Sequence, residues 1–112
     1  MTISHQVKEE GIRVISLNDT RLDIVNAKEL RDYVRNLVSK SSSMIVVDLS
    51  EVEYLDSIGI GALFACQEEA KSICPFRVMD AQKDVLNLLK VTRADKAFKL
   101  ISTLAELGEP VT

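Results

Sequence analysis

At 112 residues the chain fits one domain, spanning residues 1–112, and can bury an apolar core without metal or disulfide support. Its 46% apolar and 28% charged content excludes wholesale disorder. A net charge of -3 with both signs interspersed leaves no basic stripe for nucleic acid or an anionic membrane.

The N-terminus, Met1 to Glu10, is polar and mixed in charge, unlike a signal peptide. Two strands follow in the pattern, a weakly alternating Ile3 to Val7 and a better one over Ile12 to Leu17, with Glu10-Gly11 as the turn. Asn18-Asp19-Thr20 reads as a loop. The first helix opens on Asn26 with Glu29 three residues on, the spacing of a capping box. Ala27, Leu30, Val34, Leu37 and Val38 give it one apolar face, and Lys40-Ser41-Ser42-Ser43 ends it.

Met44 to Leu49 is nearly continuously apolar and rich in β-branched residues, which suits a central strand covered on both faces. Ser50 to Leu55 reads as a connector, and a second helix is expected from about Ser57 to Ser72. The stretch from Ile58 to Cys66 is its most apolar part, far too short to span a bilayer, so no membrane insertion is expected. Cys66 and Cys74 match no redox or zinc spacing and read as reduced, buried thiols of a cytoplasmic protein. Phe76 to Met79 is a short strand, Val85 to Leu89 marks a third helix, and Phe98 to Ile101 is the last strand. Thr103 and Glu106 have capping-box spacing for a short terminal helix. The order ββαβαβαβα implies an α/β fold with a mixed, mostly parallel sheet.

The chemistry-bearing segment is Asp56-Ser57-Ile58-Gly59-Ile60-Gly61, where the strand from Met44 leads into the second helix. Functional groups gather beyond the carboxyl ends of parallel strands, and a helix start there offers unpaired N–H groups. Asp56 or Ser57 alone is explained as an N-cap. The glycines ask for more: each costs about 1 kcal/mol in a helix relative to Ala, which suggests close approach of another backbone, from this chain or a partner.

Catalysis finds little support. Leu55 stands where a nucleophile elbow needs its first glycine, and the one histidine, His5, lies far away on an edge strand. No phosphate-binding glycine loop is present. Paired carboxylates such as Asp48 and Asp56 suit a shared metal or proton, but a strand-end Asp holding its own loop is the simpler account. Neither a metal nor another cofactor is expected, and the chain does not read as an enzyme.

The block from Val46-Val47-Asp48-Leu49 through Leu55-Asp56-Ser57 to Gly59-Ile60-Gly61-Ala62-Leu63 resembles the signature of the STAS family, in particular its bacterial anti-sigma factor antagonists. Leu22-Asp23, Asn26-Ala27 and Leu30-Arg31 resemble that family's opening of the first helix, and Leu88-Leu89 through Phe98 its third helix and last strand. The resemblance implies a STAS-like sheet with helices packed mainly on one side, and a regulatory serine at Ser57. It implies partners of two kinds: an anti-sigma factor that is also a serine kinase of ATPase fold, and a PP2C-type phosphatase. In that family the unphosphorylated form binds the anti-sigma factor and frees the sigma factor. The partner surface it implies is Asp23 with Asp56, Ser57, Ile58, Gly59, Ile60 and Gly61. The chain departs from the family pattern at Ile58, usually small and polar, and at Asn18-Asp19, Cys74-Pro75 and Arg93-Ala94, where glycine is usual. Along the second helix, Ile60, Leu63, Phe64 and Gln67 are expected inside, and Ala62, Ala65 and Glu69 outside. The alternative within the same fold is an unphosphorylated structural subunit of a signalling scaffold or lipid-transport complex.

Overall fold

The computed structural model describes residues 3–38 and 42–106. Strands β1 (Ile3–Val7) and β2 (Ile12–Leu17) form an antiparallel hairpin through a tight 3-10 turn, Glu9–Gly11. Glu10 and Gly11 both take positive φ there, 63° and 78°, which only glycine adopts without strain. Helix α1 (Ala27–Val38) leads to β4 (Met44–Asp48), and α2 (Ser57–Ala70) to β6 (Phe76–Met79). Helix α3 (Lys83–Val91) and a single-turn α4 (Ala94–Ala97) precede β7 (Lys99–Ile101), after which Leu104–Glu106 makes a 3-10 turn. The remaining two strands, β3 (Arg21–Leu22) and β5 (Tyr54–Leu55), form a small parallel ladder of their own.

The main sheet runs β1-β2-β4-β6-β7, parallel except for the hairpin. The mixed, mostly parallel sheet is the one expected, while β3, β5 and α4 are additions to the expected order of elements. Residues facing one side, among them Ile15, Leu17, Ile45, Val47 and Val78, pack against all four helices in one core. The expected apolar face of α1 is buried in full. Val14, Val46 and Met79 face the other side and pack with Ile12, Met44, Ile101 and Leu104, so among the described residues Leu104 of the 3-10 turn helps to cover that face. Ile45, Val46 and Val47 are all fully buried, as their unbroken apolar run requires.

Several local expectations change. The second helix stops at Ala70, and Phe98 closes α4 instead of opening β7. The terminal helix is only a 3-10 turn, in which Glu106 Oε1 accepts from the Ser102 N–H at 2.8 Å. The Asn26 side chain does not cap α1: its Oδ1 accepts from the Asp23 N–H at 3.1 Å, pinning the preceding turn instead. Lys40 and Ser41 of the expected polar loop lie outside the described residues. Both cysteines are buried free thiols, and burial pushes the Cys66 thiol up to about 12.

Candidate functional site

Asp56 sits in extended conformation, and its Oδ1 accepts from the Gly59 N–H at 2.9 Å while its carbonyl accepts from Ile60 N–H. It is thus the N-cap of α2, and Ser57 is the first helical residue, exposed to solvent. The residues that follow divide between surface and interior. Ile58 is 45% exposed, Gly59 is buried and Ile60 is 9% exposed. Gly61 is exposed.

The two glycines have different causes. A Cβ on Gly59 would meet Leu22 O at 2.3 Å and Leu55 Cδ1 at 2.6 Å, so the close backbone approach comes from this chain. A Cβ on Gly61 would meet nothing within 4 Å. The first glycine lets the β3 segment lie against the start of α2. The second has no such reason inside the fold.

That segment is held by the β3–β5 ladder, where Thr20 O accepts from both Glu53 and Tyr54 N–H groups. Arg21 stacks on the Tyr54 ring at 3.9 Å and also donates to Asp23 Oδ2 at 3.0 Å. Asp23 Oδ1 accepts from the Val25 N–H at 3.0 Å; this bond, and the Arg21 bond after it, hold the Asp23 carboxyl below the usual carboxylate range. Asp23 is buried and organises the turn that displays Ile24 and Val25, which are 72% and 85% exposed. These two, unlike Asp23, lie open on the turn that follows Leu22, whose carbonyl lies against Gly59 of α2. Sequence reasoning passed over them, although two β-branched apolar residues between Asp23 and Asn26 were a readable signal of a displayed turn.

Along α2, Ala62 is buried rather than outside, because α1 packs directly over it and Arg35 Nε reaches Glu69 Oε1 at 3.1 Å. Phe64 is half exposed, its ring lying 4.8 Å from that of Phe98. A notch of about 240 Å³ opens between the helices, lined by Ala27, Arg31, Ile58, Gly61 and Ala62. His5 is engaged with Tyr33 Oη at 2.6 Å, and Asp48 Oδ1 accepts from the Ser50 N–H at 2.8 Å, so Asp48 holds its own loop. The site offers an accessible hydroxyl and apolar surface rather than an assembled acid–base pair.

The STAS domain family matches residues 5–107 of the chain. An anti-sigma-F factor antagonist of Mycobacterium tuberculosis, RsfB, is 30% identical over 94 residues, covering 84% of this chain and 76% of that protein. The crystal structure of an anti-sigma factor antagonist from Mycobacterium paratuberculosis is 31% identical, covers 93% of this chain and 89% of its own, and superposes with a TM-score of 0.77. The structure of an anti-sigma-factor antagonist (STAS) domain protein from Planctomyces limnophilus, at 20% identity, shares the fold with a TM-score of 0.81 over 94% of this chain and 93% of its own.

Proposed function

We propose that this chain, which belongs to the STAS domain family, is an anti-sigma factor antagonist that works as a phosphorylation-controlled binding switch. It acts in the cytoplasm, where its unphosphorylated form binds an anti-sigma factor that is also a serine kinase of ATPase fold, and so frees a sigma factor. Phosphorylation of Ser57 blocks that binding, and a PP2C-type phosphatase restores it. The relatives named as antagonists support the class of partner. One observation carries the switch: Ser57 is exposed at the first turn of α2, next to the exposed Ile58 and one turn before the exposed Gly61.

The physics follows from that placement. A phosphoryl group adds about -1.5 to -2 charges at neutral pH. The N-terminus of a fourteen-residue helix tolerates this charge, so the fold survives modification. A partner surface packed on Ile58, Ile24 and Val25 does not, because it would have to strip water from a dianion. No helix among the described residues is long and apolar enough to cross a membrane.

Incubation with ATP and the candidate kinase, followed by intact-mass measurement, tests the reading. Wild-type protein is expected to gain the mass of one phosphate, Ser57→Ala none, and the PP2C-type phosphatase is expected to reverse the gain. A wild-type mass that never changes favours the structural-subunit alternative.

A further inference from the structure

Arg31 is the odd cation of helix α1. Lys28 pairs with Asp32 at 2.9 Å, and Arg35 pairs with Asp32 at 3.6 Å and Glu69 at 3.1 Å. Among the described residues no carboxylate lies within ion-pair distance of Arg31, although it is partly buried and lines the notch with Ile58 and Gly61. The Arg35–Glu69 contact, together with the notch that Ala27, Arg31, Ile58, Gly61 and Ala62 line in common, sets the Ala27–Arg31 turn of α1 against the Ile58–Ala62 turn of α2. Long side chains on a helix lean toward its N-terminus, which carries the guanidinium toward Gly61. Ser57 lies four residues before Gly61 and therefore on the same face, one turn away. A Cβ on Gly61 would meet nothing within 4 Å, so the notch is open beside that residue.

We propose that Arg31 is the internal receptor for a phosphoryl group on Ser57, closing over the notch between α1 and α2 when that group is present. This rests on the reading of Ser57 as the modified residue. In the modification itself the γ-phosphoryl group of ATP passes to Ser57 Oγ, the hydroxyl proton goes to a base on the kinase, and ADP departs. Arg31 takes no part in that transfer and pairs only with the product, for which a planar guanidinium offers forked hydrogen bonds. The phosphorylated surface then differs from the unphosphorylated one in shape as well as in charge. Gly61 acquires a role: its missing side chain keeps the notch open beside it.

Phosphoserine placed at position 57 during translation tests this without any kinase. The second ionisation of the phosphate is followed by phosphorus NMR in wild-type, Arg31→Gln and Arg31→Lys backgrounds. Asp56 on α2, Asp23 and Arg21 before α1, and Lys28 and Glu29 on α1 are common to all three, so the difference reads Arg31 alone. The wild-type midpoint is expected to lie roughly half a pH unit or more below that of Arg31→Gln, with Arg31→Lys between them. In the wild-type background, which needs no variant to fold, the Arg31 Nε–H resonance is expected to move on phosphorylation. Equal midpoints in wild type and Arg31→Gln, or an unmoved Arg31 Nε–H, overturn the assignment and leave the switch resting on charge alone. A kinase that fails to modify Ser57 contradicts the proposed function and leaves these spectra unaffected.

Discussion

A methyl group at Gly59 would stand 2.3 Å from the carbonyl oxygen of Leu22, a backbone atom that cannot swing aside, whereas one at Gly61 would project into open space. Gly59→Ala is therefore expected to destabilise the fold by about 2 kcal/mol through overpacking, by moving either β3 or the start of α2. Gly61→Ala is expected to stabilise it by about 0.5–1 kcal/mol, the ordinary helix-propensity gain. Urea unfolding of both variants checks the pair, and a Gly61→Ala variant as costly as Gly59→Ala would show that the open space is filled. From the sequence the two glycines carried the same message, close backbone approach, because propensity registers only the cost. Which glycine touches this chain depends on where Leu22 lies, and nothing local encodes that.

At the scale of elements, the long periodic segments were legible and the shortest were not. Helix α1 buries the five residues that its spacing selects, and β4 buries Ile45, Val46 and Val47, the centre of its apolar run. The β3–β5 ladder has two residues in each strand, too few for any alternation to show, yet it is what places the Asp23 turn beside α2. Arg93 marks another hidden feature. It stands where the family pattern has glycine, and it takes a left-handed conformation, φ 63°, just before α4. A side chain there costs about 1–2 kcal/mol, part of which glycine would give back through its greater freedom in the unfolded chain. Arg93→Gly is expected to stabilise by about 0.5–1 kcal/mol and to raise the midpoint of thermal unfolding by roughly 2–6 °C. An unchanged or lowered midpoint in a calorimetric scan would show that the Arg93 side chain contributes more than its backbone strain removes.

Across the whole molecule, the alternation of strands and helices was enough to anticipate the parallel sheet, because only crossover helices can join such strands in short connections. The resemblance implied helices mainly on one side, and the four α-helices among the described residues contribute to the core on one face of the sheet. Ser57, Ile58 and Gly61 reach the surface, while Gly59, Ile60 and Asp23 shape it from beneath and Ile24-Val25 extends it. Surface placement of this kind depends on tertiary contacts and escaped the local pattern, as the burial of Ala62 under α1 illustrates. Under the proposed function, a phosphoryl group on Ser57 enters a surface that also exposes Ile58, Ile24 and Val25. A charge penalty of about 3–4 kcal/mol at such a surface weakens binding more than a hundredfold. The decisive measurement is the affinity of the chain for the proposed anti-sigma factor partner, by titration calorimetry, with Ser57 unmodified, replaced by Ala, and phosphorylated. The unmodified and Ser57→Ala forms are predicted to bind comparably and the phosphorylated form more than a hundredfold more weakly; a phosphorylated form that binds as tightly as Ser57→Ala would contradict the switch.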